Sequence, residues 1–131
     1  MTAFQITHPF SGFSVDSIDA ARAFYGDTLG LDVTTNAMGF LDIHLPDGGS
    51  ILVYEKPDHT PASFTILNFP VDDVEAAVDD LNSRGVVTKI YDDADLSTDA
   101  KGIMRGGPDR GPDIAWFTDP AGNVLAVLSA S

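Results

Sequence analysis

Ser14-Val15-Asp16-Ser17-Ile18-Asp19-Ala20-Ala21 recurs 56 residues later as Pro70-Val71-Asp72-Asp73-Val74-Glu75-Ala76-Ala77. Each copy follows an apolar run, then places hydroxyl or carboxylate side chains just ahead of a pair of alanines. That order predicts a strand feeding a helix with a polar amino-terminal cap. Two similar halves imply a folded unit built from paired modules, and the surface formed between such modules is the first place to seek function.

Working outward, residues 6–15 read as a leading strand, with Pro9 and Gly12 marking an edge or a distortion. A helix capped by Asp16 or Ser17 should reach about Leu29, with Ile18, Ala21, Phe24 and Tyr25 or Leu29 on its inner face, and Gly30 should stop it. Strands are expected over 30–34, 40–45 and 50–55, the last two joined by Pro46-Asp47-Gly48-Gly49. The first module is then βαβββ over residues 6–56, and 57–61, with two prolines, reads as a linker. The second module, 62–129, repeats the order with a strand at 62–71, a helix at 73–84, a strand at 86–91 and strands at 114–118 and 124–128. Between the strands at 86–91 and 114–118 lies a glycine-rich acidic loop, 92–113, long enough to suggest a functional lid. The closing strands echo one another as well, Gly49-Ser50-Ile51-Leu52-Val53 against Gly122-Asn123-Val124-Leu125-Ala126. The whole chain is expected to form a single α+β domain.

Composition narrows the function classes. An apolar fraction of 44% over 131 residues suits one folded domain rather than a disordered chain. Eighteen Asp and two Glu against seven Lys plus Arg give a formal charge of −13, a surface that repels a phosphate backbone, so nucleic acid is not an expected partner. The same charge would attract a cationic small molecule. No apolar run approaches the roughly 18 residues of a membrane span, the first residues lack the pattern of a secretory signal, and a cytoplasmic location is expected. The absence of cysteine excludes disulfides, thiolate catalysis and cysteine-ligated metal sites. Gly106-Gly107-Pro108-Asp109-Arg110-Gly111 lacks the lysine of a phosphate-binding loop, and Ser11, Ser14 and Ser50 form no recognisable nucleophile motif.

Ala23-Phe24-Tyr25-Gly26-Asp27-Thr28-Leu29-Gly30-Leu31 resembles the "FYxxxLGL" segment, and Phe117-Thr118-Asp119-Pro120-Ala121-Gly122-Asn123 the "FxDPxGN" segment, of the vicinal oxygen chelate superfamily, which includes glyoxalase I, bleomycin-resistance proteins, fosfomycin-resistance enzymes and extradiol dioxygenases. The resemblance runs from about Phe10 to Leu128. It implies two βαβββ modules whose mixed sheets lie side by side as a cup, commonly completed by homodimerisation. It also implies where metal-dependent members would carry His or Glu ligands: Phe10 and Ile66 in the leading strands, Val53 and Ala126 in the closing strands. All four are apolar and offer no lone pair to a divalent ion. No metal and no cofactor are therefore expected.

Alternation supplies the other candidates. His8 and Gly12 flank Phe10, Glu55 follows Val53 and Asn68 follows Ile66. If Leu41, Ile43 and Leu45 pack on the helix, then Phe40, Asp42 and His44 face the cup, making Asp42, His44 and Glu55 a polar cluster with His44 or Glu55 as candidate acid-base residues. Trp116 and Phe40 offer a binding wall, and Met104 and Arg105 lie in the loop expected to close over it. Three functions stay open, a non-catalytic interaction protein that uses the closed cup only as a core among them. One is a metal-free protein that binds a small aromatic or cationic molecule, in the manner of bleomycin-resistance proteins. Another is a glyoxalase- or dioxygenase-like enzyme with an atypical metal site built from residues such as His8, His44 and Glu55, or one that works without metal using His44 as base.

Overall fold

Ser17 and Asp73 hold the same place in the two copies, and both are helix caps. Each lies in extended backbone, and its side chain accepts the N–H three residues on, from Ala20 at 3.2 Å and Ala76 at 3.1 Å. The computed structural model describes residues 2–91, 98–107 and 111–130. The chain divides into two compact units, Met1–His59 and Thr60–Ser131. With two four-stranded mixed sheets and two helices, the fold is α+β.

In the first unit, β1 (Ser11–Val15) leads into α1 (Ile18–Arg22), and β2 (Asp32–Thr35), β3 (Leu41–His44) and β4 (Ser50–Glu55) follow. The sheet order is β1-β4-β3-β2, with β1 parallel to β4 and the other pairs antiparallel. Val15, Ile18, Ala21, Tyr25, Leu41, Ile43, Ile51 and Val53 are buried together between helix and sheet. Tyr25, completely buried, meets Phe13 edge-on at 5.7 Å, and its burial contributes on the order of 2 kcal/mol. The expected helix to Leu29 changes character at Ala23. From there to Thr28 it is a π-helical turn, closed by the N–H of Leu29 on the carbonyl of Phe24 five residues back. Residues 6–10 do not extend β1; they are exposed and outside the sheet.

The second unit runs β5 (Thr65–Val71), α2 (Val74–Ser83), β6 (Ile103–Met104), β7 (Ile114–Thr118) and β8 (Val124–Ser129), in sheet order β5-β8-β7-β6. Pro70 is tolerated because β5 is an edge strand. The core combines Val74, Val78 and Leu81 of α2 with Ala115, Phe117, Leu125 and Val127. Phe69 stacks on Phe117 at 6.4 Å.

The strand expected over 86–91 is not formed. Its β-branched residues do alternate, Val86 and Thr88 buried and Val87 exposed, but it forms no ladder with β7; Lys89 donates its N–H to the Trp116 carbonyl at 2.7 Å. Thr88 donates its hydroxyl to the Lys101 carbonyl at 2.6 Å, so the following segment crosses beside it, and the edge position goes to Ile103–Met104. The crossing needs Gly102, whose φ is +83° and where a Cβ would lie 2.7 Å from the Lys89 carbonyl oxygen. Part of the expected lid is therefore strand. Residues 92–97 and 108–110 of it lie outside the described residues.

Candidate functional site

The open face of each sheet, opposite its helix, follows from alternation and from the strand partners. In the first unit Leu41, Ile43, Ile51 and Val53 are buried under the helix. Gly12, Leu52, Asp42 and Thr34, neighbours across all four strands, therefore form one row of the opposite face. Ser50, His44 and Asp32 form the row on one side of it, and Ser14, Tyr54 and Phe40 the other. His44 is exposed, with Nε2 2.8 Å from Thr34 Oγ1, and Phe40 meets Tyr54 at 6.4 Å. Phe40, Asp42 and His44 thus share a face.

Glu55 does not share it. Its parity is that of Ile51 and Val53, and its Oε1 accepts the backbone N–H of Ile18 at 3.0 Å, capping α1. The expectation failed because the closing strands were matched one residue out of step. Backbone bonds at the turns correct this: Leu45 N–H to Gly49 O and Gly48 N–H to Leu45 O reappear as Asp119 to Asn123 and Gly122 to Asp119. Gly48 and Gly122 share a positive φ, +93° and +87°. Gly48, not Gly49, corresponds to Gly122, so Leu52 rather than Val53 is the counterpart of Ala126.

The corrected ligand positions remain apolar. Phe10 lies just ahead of β1 and is 65% exposed, Ile66 is the extra residue of a β-bulge, and Leu52 and Ala126 sit mid-sheet. These residues do not fit a metal ion, because none carries a donor atom. Among the described residues, no group of three His, Asp or Glu side chains is arranged to hold one. The family segment Asp119 to Asn123 serves the turn itself: Asp119 accepts the backbone N–H of Asn123 at 2.8 Å and its side-chain amide at 3.0 Å, both residues buried.

In the second unit the equivalent row is Asn68, Ala126 and Trp116, flanked by Pro70, Leu128, Ile114 and Met104. Asn68 is exposed, Met104 half-buried and Trp116 half-buried. Trp116 Nε1 donates to Thr65 Oγ1 at 3.2 Å, and the indole meets Tyr91 edge-on at 5.5 Å. Lys89 lies over the Tyr91 ring at 5.5 Å. Thr65 and Tyr91 were missed by sequence reasoning. Thr65 is displaced by a bulge, and Tyr91 belongs to a segment read as an ordinary strand.

His8 is not brought to this row or to its counterpart. It lines a cavity of about 510 Å³ formed by Gln5 to Pro9, all exposed. A second cavity, of about 320 Å³, lies at the carboxyl end of α2 beside Val86, Thr88 and Lys101; Trp116 lines neither. Ser14 Oγ and His59 Nδ1, 2.6 Å apart, were also unforeseen, being 45 residues apart in sequence; they tie the end of the first unit to β1.

Arg105 is not free to close over an open face. It pairs with Glu75 of α2 at 2.8 Å and with Asp99 at 3.0 Å, while Lys101 pairs with Asp79 at 2.9 Å. These contacts hold both basic side chains more firmly protonated than usual, chiefly through the hydrogen bonds from Arg105 to Glu75 and from Lys101 to Asp79. Burial pushes the Asp99 carboxyl up, but the N–H groups of Ile103 and Lys101 and the Arg105 guanidinium outweigh it, leaving the group below the usual carboxylate range.

The family model for the Glyoxalase/Bleomycin resistance protein/Dioxygenase superfamily matches residues 5–127, and the chain belongs to that superfamily. A solved structure from Bacillus anthracis described as of the glyoxalase family is 17% identical with TM-score 0.72, covering 100% of both chains. A member of the same superfamily from Sphaerobacter thermophilus is 20% identical with TM-score 0.69, over 96% of this chain and 98% of that one. A protein described as oxidase ChaP-H2 is also 20% identical, TM-score 0.62, over 96% and 94%. At these identities the likeness is one of fold. Comparison with curated proteins gave no match. No helix among the described residues is long and apolar enough to cross a membrane.

Proposed function

We propose that this protein is a metal-free binder of a small organic molecule, aromatic or cationic, held against the open face of the second sheet. The observation that carries the reading is the residue set at the family's ligand positions: Phe10, Leu52, Ile66 and Ala126 leave a metal without donors, while Trp116 beside Ala126 presents aromatic surface. The charge of −13 favours a cation over an anion. A titration of aromatic and cationic compounds read by Trp116 fluorescence, repeated by thermal shift on Trp116→Phe, tests it. Binding by the wild type and at least tenfold weaker binding by the variant are expected; failure of every compound overturns the reading. Stoichiometric nickel, zinc, manganese or iron in the purified protein overturns its metal-free part. Homodimerisation belongs to the same reading and is checked by light scattering.

The enzyme reading draws support from Asp42 and His44, which share the polar face of the first sheet. It has lost Glu55 to the cap of α1. Turnover of a glyoxalase- or dioxygenase-type substrate, abolished in His44→Ala, would favour it.

A further inference from the structure

We propose that Thr65 is a positioning residue that holds the Trp116 indole in one plane, making it a stacking platform for a planar ring. The inference rests on the binding function above and specifies how that site recognises its ligand.

The argument begins with the bulge. β5 meets β8 at Thr65↔Val124 and next at Leu67↔Leu125, two steps on one strand against one on the other, so Ile66 is the extra residue. Leu67 and Phe69 lie on the α2 side with Leu125 and Phe117. Uninterrupted alternation would send Thr65 to that side too. The bulge reverses its parity and puts it on the open face with Val124 and Trp116, where its hydroxyl meets the indole N–H at 3.2 Å.

The segment ending at Tyr91 restrains the residue further. Tyr91 packs at right angles to the ring, 86° between planes, and is itself held by Thr98, whose Oγ1 accepts the Tyr91 N–H at 2.7 Å. Lys89 donates its backbone N–H to the Trp116 carbonyl. Indole has a single donor, and here Thr65 takes it. What Trp116 offers a ligand is π surface, so recognition runs through stacking of a planar ring rather than through a hydrogen bond from the indole.

Trp116 is the one tryptophan, so its near-ultraviolet circular dichroism reports the ring without interference from another indole. Thr65→Val, nearly isosteric but without the acceptor, should lose most of that indole signal. It should also weaken acridine, a planar probe followed by quenching of Trp116 emission, by about five- to tenfold. Thr65→Ser should restore both. An unchanged indole signal or unchanged acridine affinity in Thr65→Val overturns the proposal, as does a serine variant no better than valine. If wild type binds neither acridine nor any other compound, the binding function falls, and the indole signal still decides whether Thr65 positions the ring. Should valine prevent folding, Thr65→Ala gives the same two readouts.

Discussion

Asp42 and Trp116 occupy the same place in the two halves. Each sits mid-strand on the open face, opposite Leu52 in the first sheet and its counterpart Ala126 in the second. Around Asp42 stand Thr34, Ser50 and His44; around Trp116 stand Ala126, Ile114 and Met104. The backbone devices of the repeat are kept, namely the Ser17 and Asp73 caps and the turns at Gly48 and Gly122. Side chains on the open faces have diverged: Asp42, Thr34 and His44 add polar groups to a first face that also holds Leu52, Phe40 and Tyr54, while Trp116, Ile114 and Met104 add apolar surface to a second that also holds Thr65 and Asn68. A repeat can therefore preserve its scaffold while each copy takes up different chemistry, because caps and turns answer to local geometry and an open face does not.

The sharpest way to break this comparison is to write the first copy's residue into the second. Trp116→Asp places a carboxylate beside Ala126, which is fully buried, and removes the partner of Thr65 and Tyr91. A loss of about 3 kcal/mol in urea unfolding is expected, from lost aromatic burial plus a poorly solvated charge. A variant as stable as wild type would mean that the second face is no less hydrated than the first. Next in size is Gly102→Ala, which acts where the second unit departs from the first, at the crossing of Thr88 and Lys89. A methyl group there meets the Lys89 carbonyl in a backbone conformation that disfavours L side chains, and about 2 kcal/mol should be lost by the same measurement.

How far the halves could be read from sequence follows from the range of the forces involved. Helix caps, the Gly48 and Gly122 turns and the burial of Leu41 and Ile43 are set by near neighbours and by alternation, so they were legible. Phe40, Asp42 and His44 were placed on one face for the same reason. The position of Glu55 was not, since a one-residue slip in matching the turns reverses every side chain of a strand. The expected strand at 86–91 failed for a different reason. Its pattern is right, but a competing segment ending in Ile103–Met104 takes the edge, and that choice depends on contacts between residues distant in sequence. Thr65 depended on a bulge, which no periodicity announces.

Glu55 and its counterpart Ser129 offer a finer test. Glu55 caps α1 through the Ile18 N–H, whereas Ser129 accepts the N–H of Asp113 at 3.1 Å and leaves α2 to its own Asp73. Glu55→Gln keeps an acceptor oxygen but gives up the charge near the helix amino terminus, and Glu55→Ala gives up both. Losses of a few tenths and about 1 kcal/mol respectively are expected. Ser129→Ala should leave both helices intact by far-ultraviolet circular dichroism. If the two glutamate variants were equally stable to wild type, Glu55 would return to the list of candidate acid-base residues.

The smallest effect concerns Asp99, whose turn repeats the bonds of the Asn36 turn in the first unit with a carboxylate in place of the amide. Its carboxyl accepts the N–H groups of Lys101 and Ile103, both at 2.9 Å, and the Arg105 Nε–H at 3.2 Å. Burial opposes ionisation, these contacts overcome it, and the folded group titrates below its unfolded value. A depressed carboxylate favours the folded state above the unfolded pKa, near 4, and that contribution disappears as pH falls through the lower folded pKa. Asp99→Asn should therefore be less stable than wild type at pH 6, and the gap should narrow once pH drops below about 4. Because the group is partly exposed and its ion pairs are screened, the gap should also shrink in high salt. A gap that stayed constant across both titrations would show that Asp99 acts through the geometry of its turn alone, with no part played by its charge.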